Sequence, residues 1–180
     1  ALELAEAGET VTIADAAVAA AGATAECMGH LVVMDDSEAQ IALTSLSVRL
    51  WETRASDLPA SVEYDRCGTI WVAADDEEMA AVTVKCEVYH RHGVEAEVLG
   101  PDALYRYEPN LRRGLAGGLR VPGDRVLYAP TATRWMLDRA LATGRCRYLS
   151  GARALRIDGH AVYFEGATGP IRFDRIVVAA

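Results

Sequence analysis

The chain has 180 residues, of which 51% are hydrophobic and 24% are charged. This balance is typical of a folded globular protein and argues against disorder. The formal net charge of −8 argues against binding to nucleic acid phosphates, so the expected partner is a small molecule or another protein. No apolar run reaches the roughly 18 residues of a membrane-spanning helix, so no transmembrane segment is predicted.

The four cysteines are far apart in the sequence, at Cys27, Cys67, Cys86 and Cys146. They form no CxxC pair and have no histidines at the spacing of a zinc site, so neither a metal centre nor a disulfide framework is predicted. Reduced thiols are typical of the cytoplasm, which is the expected location.

The predicted elements alternate between helix and strand. A helical face over residues 1–8 runs into a short strand, 11–14, that Asp15 closes. The following elements, in chain order, are a strand over 30–34, a helix over 38–56, a strand over 67–74, a helix capped by Asp75 that ends near Gly93, a strand over 95–99, a short helix from Pro101, a strand over 116–122 and a helix from Pro130 to about Leu141.

The last third of the chain has a different pattern. Its segments alternate apolar and polar residues and are separated by turns at 158–159 and 166–169, which predicts a small antiparallel β-meander. The closing run "RIVVAA" (175–180) is apolar after Arg175. It therefore predicts a strand that is buried on both faces, as in a parallel sheet covered by helices.

A helix, a short strand and a terminal acid resemble the second half of a dinucleotide-binding βαβ unit, in which the acid binds ribose hydroxyls. The glycine fingerprint of such a unit begins roughly 20 residues before that acid. From Asp15, this places the fingerprint about five residues before Ala1. We therefore expect that a first strand and its glycine loop precede residue 1, and that the chain is a piece of a longer protein.

Four segments occur in an order that suggests a family: "GATAECMGH" (22–30), "CGTIWVAADDEE" (67–78), "EPNLRRGLAGGLRVPGDRVLYAP" (108–130) and "DRIVVAA" (174–180). With Asp15, they resemble the FAD-dependent oxidoreductases that include D-amino-acid oxidase, glycine oxidase and sarcosine oxidase. The middle of the chain is most similar to the branch of D-amino-acid dehydrogenases, opine oxidases and hydrogen cyanide synthase subunits. The resemblance covers essentially the whole chain.

The resemblance implies a set of cofactor-binding residues. Asp15, with its neighbour Ala16, would bind the adenosine ribose, and the backbone of Ala154 would contact the adenine. The loop that wraps the pyrophosphate and the flavin would contain Thr24, Ala25, Met28, Gly29 and His30. Ala179 and Ala180 would begin a turn against the flavin. Glu26 and Cys27 depart from the family pattern, which has small residues there. No catalytic residue can be carried over, and the substrate-carboxylate arginine of the family is expected beyond the end of this chain.

The implied fold class is α/β, or α+β overall. A partial Rossmann-like FAD-binding domain with a β-meander (1–58 and 129–180) would carry an inserted antiparallel-sheet substrate domain (59–128). The implied activity is oxidation of the C–N bond of an amino acid or secondary amine to an imine, with a peripheral electron acceptor or partner subunit. Without the glycine loop, we expect this chain to bind FAD poorly or not at all.

Two alternatives stay open at this point. The chain could be a non-catalytic remnant or interaction module of the same fold, in which case it would not turn over an amino acid. It could also belong to a nicotinamide-dependent enzyme, because an acid at position 15 serves NAD as well as FAD. The "GATAECMGH" loop and the "DRIVVAA" ending argue against the nicotinamide alternative.

Overall fold

The computed structural model describes residues 1–35 and 37–179. The α-helices in this part of the chain are α1 (Leu2–Glu6), α2 (Ala23–Glu26), α3 (Glu38–Arg54), α4 (Asp76–Arg91), α5 (Pro101–Tyr107) and α6 (Ala129–Ala142). The strands are β1 (Val11–Ala14), β2 (His30–Leu31), β3 (Thr69–Ala73), β4 (Glu97–Leu99), β5 (Gly117–Val121), β6 (Arg125–Val126), β7 (Cys146–Leu149), β8 (Ala154–Asp158), β9 (Ala161–Phe164) and β10 (Ile171–Arg172). This mixture of helices and strands agrees with the predicted fold class.

The chain folds into two compact units. The first, which we call the split unit, contains Ala1–Cys27 and the described residues from Ala129 onward, and the second, the central unit, contains Met28–Tyr128. By its contacts, the segment 28–58 therefore groups with the central unit. The assignment of cofactor and substrate roles to 1–58, 59–128 and 129–180 stays a prediction.

The split unit is built around a parallel pair of strands, β1 and β7, in which Val11 lies opposite Cys146 and Ala14 lies opposite Leu149. Helix α1 buries Leu2 and Ala5 and packs against α6. A helix that packs beside a parallel strand pair is the arrangement that the opening of the sequence predicts. The strand at 11–14 thus pairs in parallel, as expected of a dinucleotide-binding βαβ unit.

The β-meander is also present, as an antiparallel sheet with the strand order β10-β9-β8. Its predicted first segment, however, is divided into β7 and β8. The division occurs at Gly151, which has a φ of +70° and donates its N–H to the carbonyl of Ala17 at 2.9 Å. Because this turn redirects the chain, β7 pairs with β1 in parallel, and only β8 joins the meander.

The prediction of a buried strand at the C-terminal end of the chain is wrong. Residues 175–179 form no strand, and Val177 and Val178 are 79% and 72% exposed. An apolar run is buried only when other elements supply pairing and covering surfaces. Within residues 1–35 and 37–179, no strand pairs with this run.

The central unit contains the antiparallel sheet β3-β5-β4. Helices α3 and α4 cover one face, where Ile41, Val82 and Tyr89 pack against Ala73 and Leu119. Tyr89 is fully buried and donates its hydroxyl to the carbonyl of Val33 at 2.9 Å. Helix α5 covers part of the other face, where Leu104 packs against Leu99 and Ile70.

The predicted start of α4 is confirmed in detail. Asp75 precedes the helix and accepts a hydrogen bond from the N–H of Glu78 at 3.0 Å. The carboxylate of Glu78 in turn accepts from the N–H of Ala74 at 2.6 Å. Two backbone donors at the helix start are therefore satisfied by side chains within the same short segment.

The predicted strand over 30–34 is shorter than expected. Only His30 and Leu31 form β2, which pairs antiparallel with β6. Beyond Leu31 the backbone N–H groups bind side chains and not a neighbouring strand. The N–H of Val33 donates to Asp124, and that of Met34 donates to Thr44 at 3.1 Å.

Among residues 1–35 and 37–179, none of the helices has the length and the apolar composition of a membrane-spanning segment.

Gly29 permits the close approach of β2 and β6. It has a φ of +67°, and a Cβ at this position would lie 1.8 Å from the carbonyl oxygen of Leu127. The carbonyl of Gly29 accepts the N–H of Leu127 at 2.9 Å. The backbone contact therefore leaves no space for a side chain.

We predict that Gly29→Ala lowers the free energy of unfolding by at least about 2 kcal/mol more than Gly144→Ala does. Gly144 has a similar φ of +68°, but nothing lies within 4 Å of the position that a Cβ would take there, so it controls for backbone strain alone. Urea denaturation followed by circular dichroism measures both variants. Equal losses would show that the contact with Leu127 adjusts without cost.

A histidine links the last turn of α4 to the first turn of α3. Nδ1 of His92 lies 2.8 Å from the carbonyl oxygen of Val88, and Nε2 lies 2.7 Å from a carboxylate oxygen of Glu38. The hydrogen bond to Val88, and to a smaller extent the one to Glu38, raise the pKa of His92 above its ordinary value. Burial lowers this pKa, but by less. The protonated histidine can donate to both oxygens at once.

We predict that this contact stabilises the fold fully below the unfolded pKa of about 6.5 and ceases to do so as the pH rises through the higher folded pKa. An NMR titration of the His92 ring measures the folded pKa. Glu38→Gln should lower that pKa while Glu87→Gln, an exposed change on α4, should not. A wild-type pKa at the ordinary value contradicts the prediction.

Candidate functional site

Asp15 lies at the carboxyl end of the parallel strand pair. Its N–H donates to the carbonyl of Leu149 at 3.1 Å, which extends the β1–β7 pairing by one step. Its Oδ1 accepts the N–H of Ala17 at 2.8 Å, an Asx turn that fixes the carboxylate at the end of the strand. Ligands of parallel α/β sheets bind at this edge.

The loop after Asp15 is held by the segment that follows β7. The carbonyl of Ala17 accepts the hydroxyl of Ser150 at 2.8 Å and the N–H of Gly151 at 2.9 Å. Ala16, between the two anchored residues, is exposed. Residues from two distant parts of the sequence, 15–17 and 150–151, therefore fix the loop that carries Asp15.

Thr24 and Ala25 lie on α2, in the split unit with Asp15. Thr24 is half-buried, Ala25 is exposed, and the thiol of Cys27 donates to the carbonyl of Thr24 at 3.4 Å. Glu26 is exposed on the same short helix. Helix α2 packs against α6, which positions it within this unit.

The other residues of the predicted flavin loop belong to the central unit. Met28 is 79% exposed, Gly29 packs against the backbone of Leu127, and His30 is exposed and lies opposite Val126. The requirement for glycine at position 29 thus has a structural cause within the chain itself.

The two predicted contacts near the end of the chain lie in the split unit. Ala154 begins β8, is exposed and lies opposite Phe164. Ala179 is exposed and belongs to no strand, and Ala180 lies outside the described residues. The predicted cofactor set is therefore distributed over both units, with Asp15 as its most firmly held side chain.

Sequence reasoning did not single out Asp124 as a site residue. It is 2% exposed and follows the turn at 122–123. Burial raises the pKa of its carboxyl above the ordinary value. Hydrogen bonds from Thr69 and the N–H of Val33 lower this pKa, as do the charges of Arg125 and His30, but burial has the larger effect. The signal in the sequence is an acid next to an arginine within an otherwise apolar segment.

The arginines between 112 and 125 have different roles. Arg125 is 4% exposed and donates to Glu52 at 2.6 Å and to the carbonyl of Gly123. Arg113 stacks on the ring of Tyr105, with its guanidinium carbon 4.5 Å from the ring centre. Arg125 is therefore a structural residue of the central unit, which the sequence alone could not distinguish from its neighbours.

Arg120 is the member of this group that lines a cleft. The cleft has a volume of about 380 Å³ and lies on the sheet face that α5 covers only in part. Its lining comprises Cys67, Gly68, Thr69, Ile70, Val72, Tyr107, Glu108, Leu111 and Arg120. The described residues contain no group of three or more His, Cys, Asp or Glu side chains that could hold a metal ion.

Comparison with known proteins shows what this arrangement is similar to. D-amino acid dehydrogenase of Xylella fastidiosa (strain M12) is 28% identical over 144 residues, which are 77% of this chain and 33% of that protein. D-amino acid dehydrogenase of Cereibacter sphaeroides (strain ATCC 17029 / ATH 2.4.9) is 32% identical over 117 residues, 62% of this chain and 27% of that protein. The chain thus spans about a third of the length of these curated relatives.

Solved structures share the fold. Glycine oxidase from Geobacillus kaustophilus superposes with a TM-score of 0.82 at 22% identity, over 95% of this chain and 48% of that one. L-proline dehydrogenase from P. horikoshii gives the same TM-score of 0.82 at 22% identity, over 95% of this chain and 46% of that one. A family model described as "FAD dependent oxidoreductase" matches residues 1–180. The chain therefore belongs to this DAO family of FAD-dependent oxidoreductases.

Proposed function

We propose that the protein containing this chain oxidises the C–N bond of an amino acid or secondary amine to an imine, with hydride transfer to FAD. The observation that carries the proposal is the family match over residues 1–180. The names of the similar proteins, which include D-amino acid dehydrogenase, glycine oxidase and L-proline dehydrogenase, support an amino acid as the substrate class.

The geometry of Asp15 fits the adenosine end of FAD. A ribose presents hydroxyl donors, and an ionised carboxylate is an acceptor with two oxygens. Because the N–H of Ala17 binds Oδ1, the carboxylate is oriented before a ligand arrives. This preorganisation reduces the cost of ordering the side chain on binding.

The other contacts belong to the same proposal. Thr24 and Ala25, together with the segment 28–30, would follow the pyrophosphate and the flavin. The backbone of Ala154 would contact the adenine, and Ala179 and Ala180 would approach the flavin. Each of these assignments comes from the position of the residue in the family pattern.

When bound, FAD supplies the hydride acceptor. The residues of this chain then serve to bind and orient, with Asp15 accepting hydrogen bonds from hydroxyl groups. No nucleophile or general base is assigned to the chain. We further propose that a separate electron acceptor reoxidises the flavin and that the protein is cytoplasmic.

We predict that Asp15→Asn weakens FAD binding by about ten- to a hundredfold, because hydrogen bonds to a charged group contribute about 1.5–3 kcal/mol. Asparagine keeps an oxygen for the N–H of Ala17, so the loop should keep its conformation. Asp138→Asn, an exposed change on α6, is the matched control. Titration of FAD fluorescence gives both dissociation constants, and an unchanged value for Asp15→Asn removes Asp15 from the site.

The activity itself is tested by turnover with an artificial electron acceptor. D-amino acids, glycine and proline should be oxidised by the FAD-loaded protein, with release of the corresponding oxo acid or imine product. A protein that retains FAD yet oxidises none of these compounds is better described as a non-catalytic member of the family.

A further inference from the structure

Helix α3 has two apolar faces, and the described residues of the chain cover one of them. On the covered face, Ile41 and Val48 pack against the core of the central unit. On the other face, Leu43, Leu46 and Leu50 are 68%, 45% and 53% exposed. Single exposed leucines are ordinary, but neighbouring ones form a continuous apolar surface, which is typical of an interaction site.

The spacing on the exposed face is that of a coiled coil. Four, three, four and three residues separate the exposed side chains of Ala39, Leu43, Leu46, Leu50 and Thr53. A repeat of this kind places the side chains in one stripe, along which a second helix can pack. We call these five residues the α3 seam. Its length is about 21 Å, at a rise of about 1.5 Å per residue.

We propose that the α3 seam binds the α3 seam of a second copy of the chain, with the two helices antiparallel. In this register, Leu43 packs against Leu46 of the second copy, and Leu50 packs against Ala39 of that copy. Two-fold symmetry repeats both contacts, so a small residue faces a large one at each end of the interface. The proposal concerns association of the chain and does not depend on the proposed function.

Charges beside the seam favour the antiparallel arrangement. Arg49 then lies opposite Ala42 of the second copy and one helical turn from Glu38 of that copy, so opposite charges approach each other. With parallel helices, Arg49 would lie beside Arg54 of the second copy, and the two positive charges would repel. The positive end of each helix dipole also meets the negative end of the other only in the antiparallel pair.

A second copy suits this surface better than a lipid membrane does. The formal net charge of −8 opposes binding to an anionic lipid surface. A helix that lies in a membrane interface also carries many lysines and arginines on its polar face. Helix α3 has only Arg49 and Arg54, and the face opposite the seam is packed against the protein core.

The oligomeric state of the protein tests the proposal directly. Two helices of this length bury less surface than a permanent interface requires, so we expect a dimer with a micromolar dissociation constant. Sedimentation equilibrium across the micromolar range measures this constant. A protein that stays monomeric throughout the range overturns the proposal, and so does a monomer that binds phosphatidylcholine vesicles instead.

A substitution within the seam tests whether the leucines form the contact. Leu43→Glu should raise the dissociation constant at least about tenfold, because it places a carboxylate in an apolar interface. Val84→Glu, which changes an exposed apolar residue of α4, is the matched control and should leave the constant unchanged. Circular dichroism of both variants checks that the fold is retained. Equal association of Leu43→Glu and wild type contradicts the assignment.

Charge reversal tests the register without changing the apolar contact. Arg49→Glu should weaken the dimer several-fold, because it brings carboxylates together. Glu38→Lys in the same chain should restore the association, and a fold defect would not produce that gain. A double variant that associates no better than Arg49→Glu alone rules out the antiparallel register.

Disulfide trapping tests the direction of the helices. In a mixture of Ala39→Cys and Leu50→Cys chains, a disulfide should join the two substituted positions, as peptide mass spectrometry can show. Ala39→Cys chains alone should not be joined through position 39, because the two copies of this position lie about 16 Å apart along the antiparallel pair. A disulfide between the two copies of position 39 would show parallel helices and overturn the proposal.

Discussion

The parallel pairing of β1 with β7 is the constraint on which the split unit depends. It joins Val11 to Cys146 and so requires the chain to return after the whole central unit. Closing such a long loop costs conformational entropy, which contacts between the two segments must offset. Packing of α1 on α6 and hydrogen bonds from Arg145 to the carbonyl of Gly8 at 2.9 Å and from Arg147 to Thr12 at 2.7 Å support the pairing.

The pairing also explains why Asp15 is held firmly. Its N–H continues the strand pairing, and the loop that follows it is anchored by Ser150 and Gly151 from the second part of the chain. The proposed ribose ligand is therefore positioned by the same non-local contact that builds the unit. A change that weakens the β1–β7 pair should affect the fold and the orientation of Asp15 together.

Features encoded by neighbouring residues could be predicted from the sequence. The start of α4 is an example, because Asp75 and Glu78 cap the helix through contacts within one turn. The strand before Asp15 is another, since its apolar residues and terminal acid are adjacent. The order of the quoted segments indicated the family, and the match over residues 1–180 confirms that the chain belongs to it.

Features that depend on distant residues could not be predicted. The run at 176–179 is as apolar as a buried strand, but burial requires partners that no local pattern specifies. The packing of Gly29 on Leu127 depends on the pairing of β2 with β6. The sequence around Arg120 and Arg125 does not distinguish their roles. The register of β5 places Arg120 beside a cleft, whereas Arg125 is buried and paired with the carboxylate of Glu52.

We propose that Asp15 binds the adenosine ribose of FAD at the carboxyl end of β1, and a crystal structure of the protein with bound FAD would show whether it does. We expect a carboxylate oxygen of Asp15 within about 3.2 Å of a ribose hydroxyl, with the Asx turn to Ala17 intact. A ribose bound elsewhere, with Asp15 facing solvent, would rule out this role for Asp15.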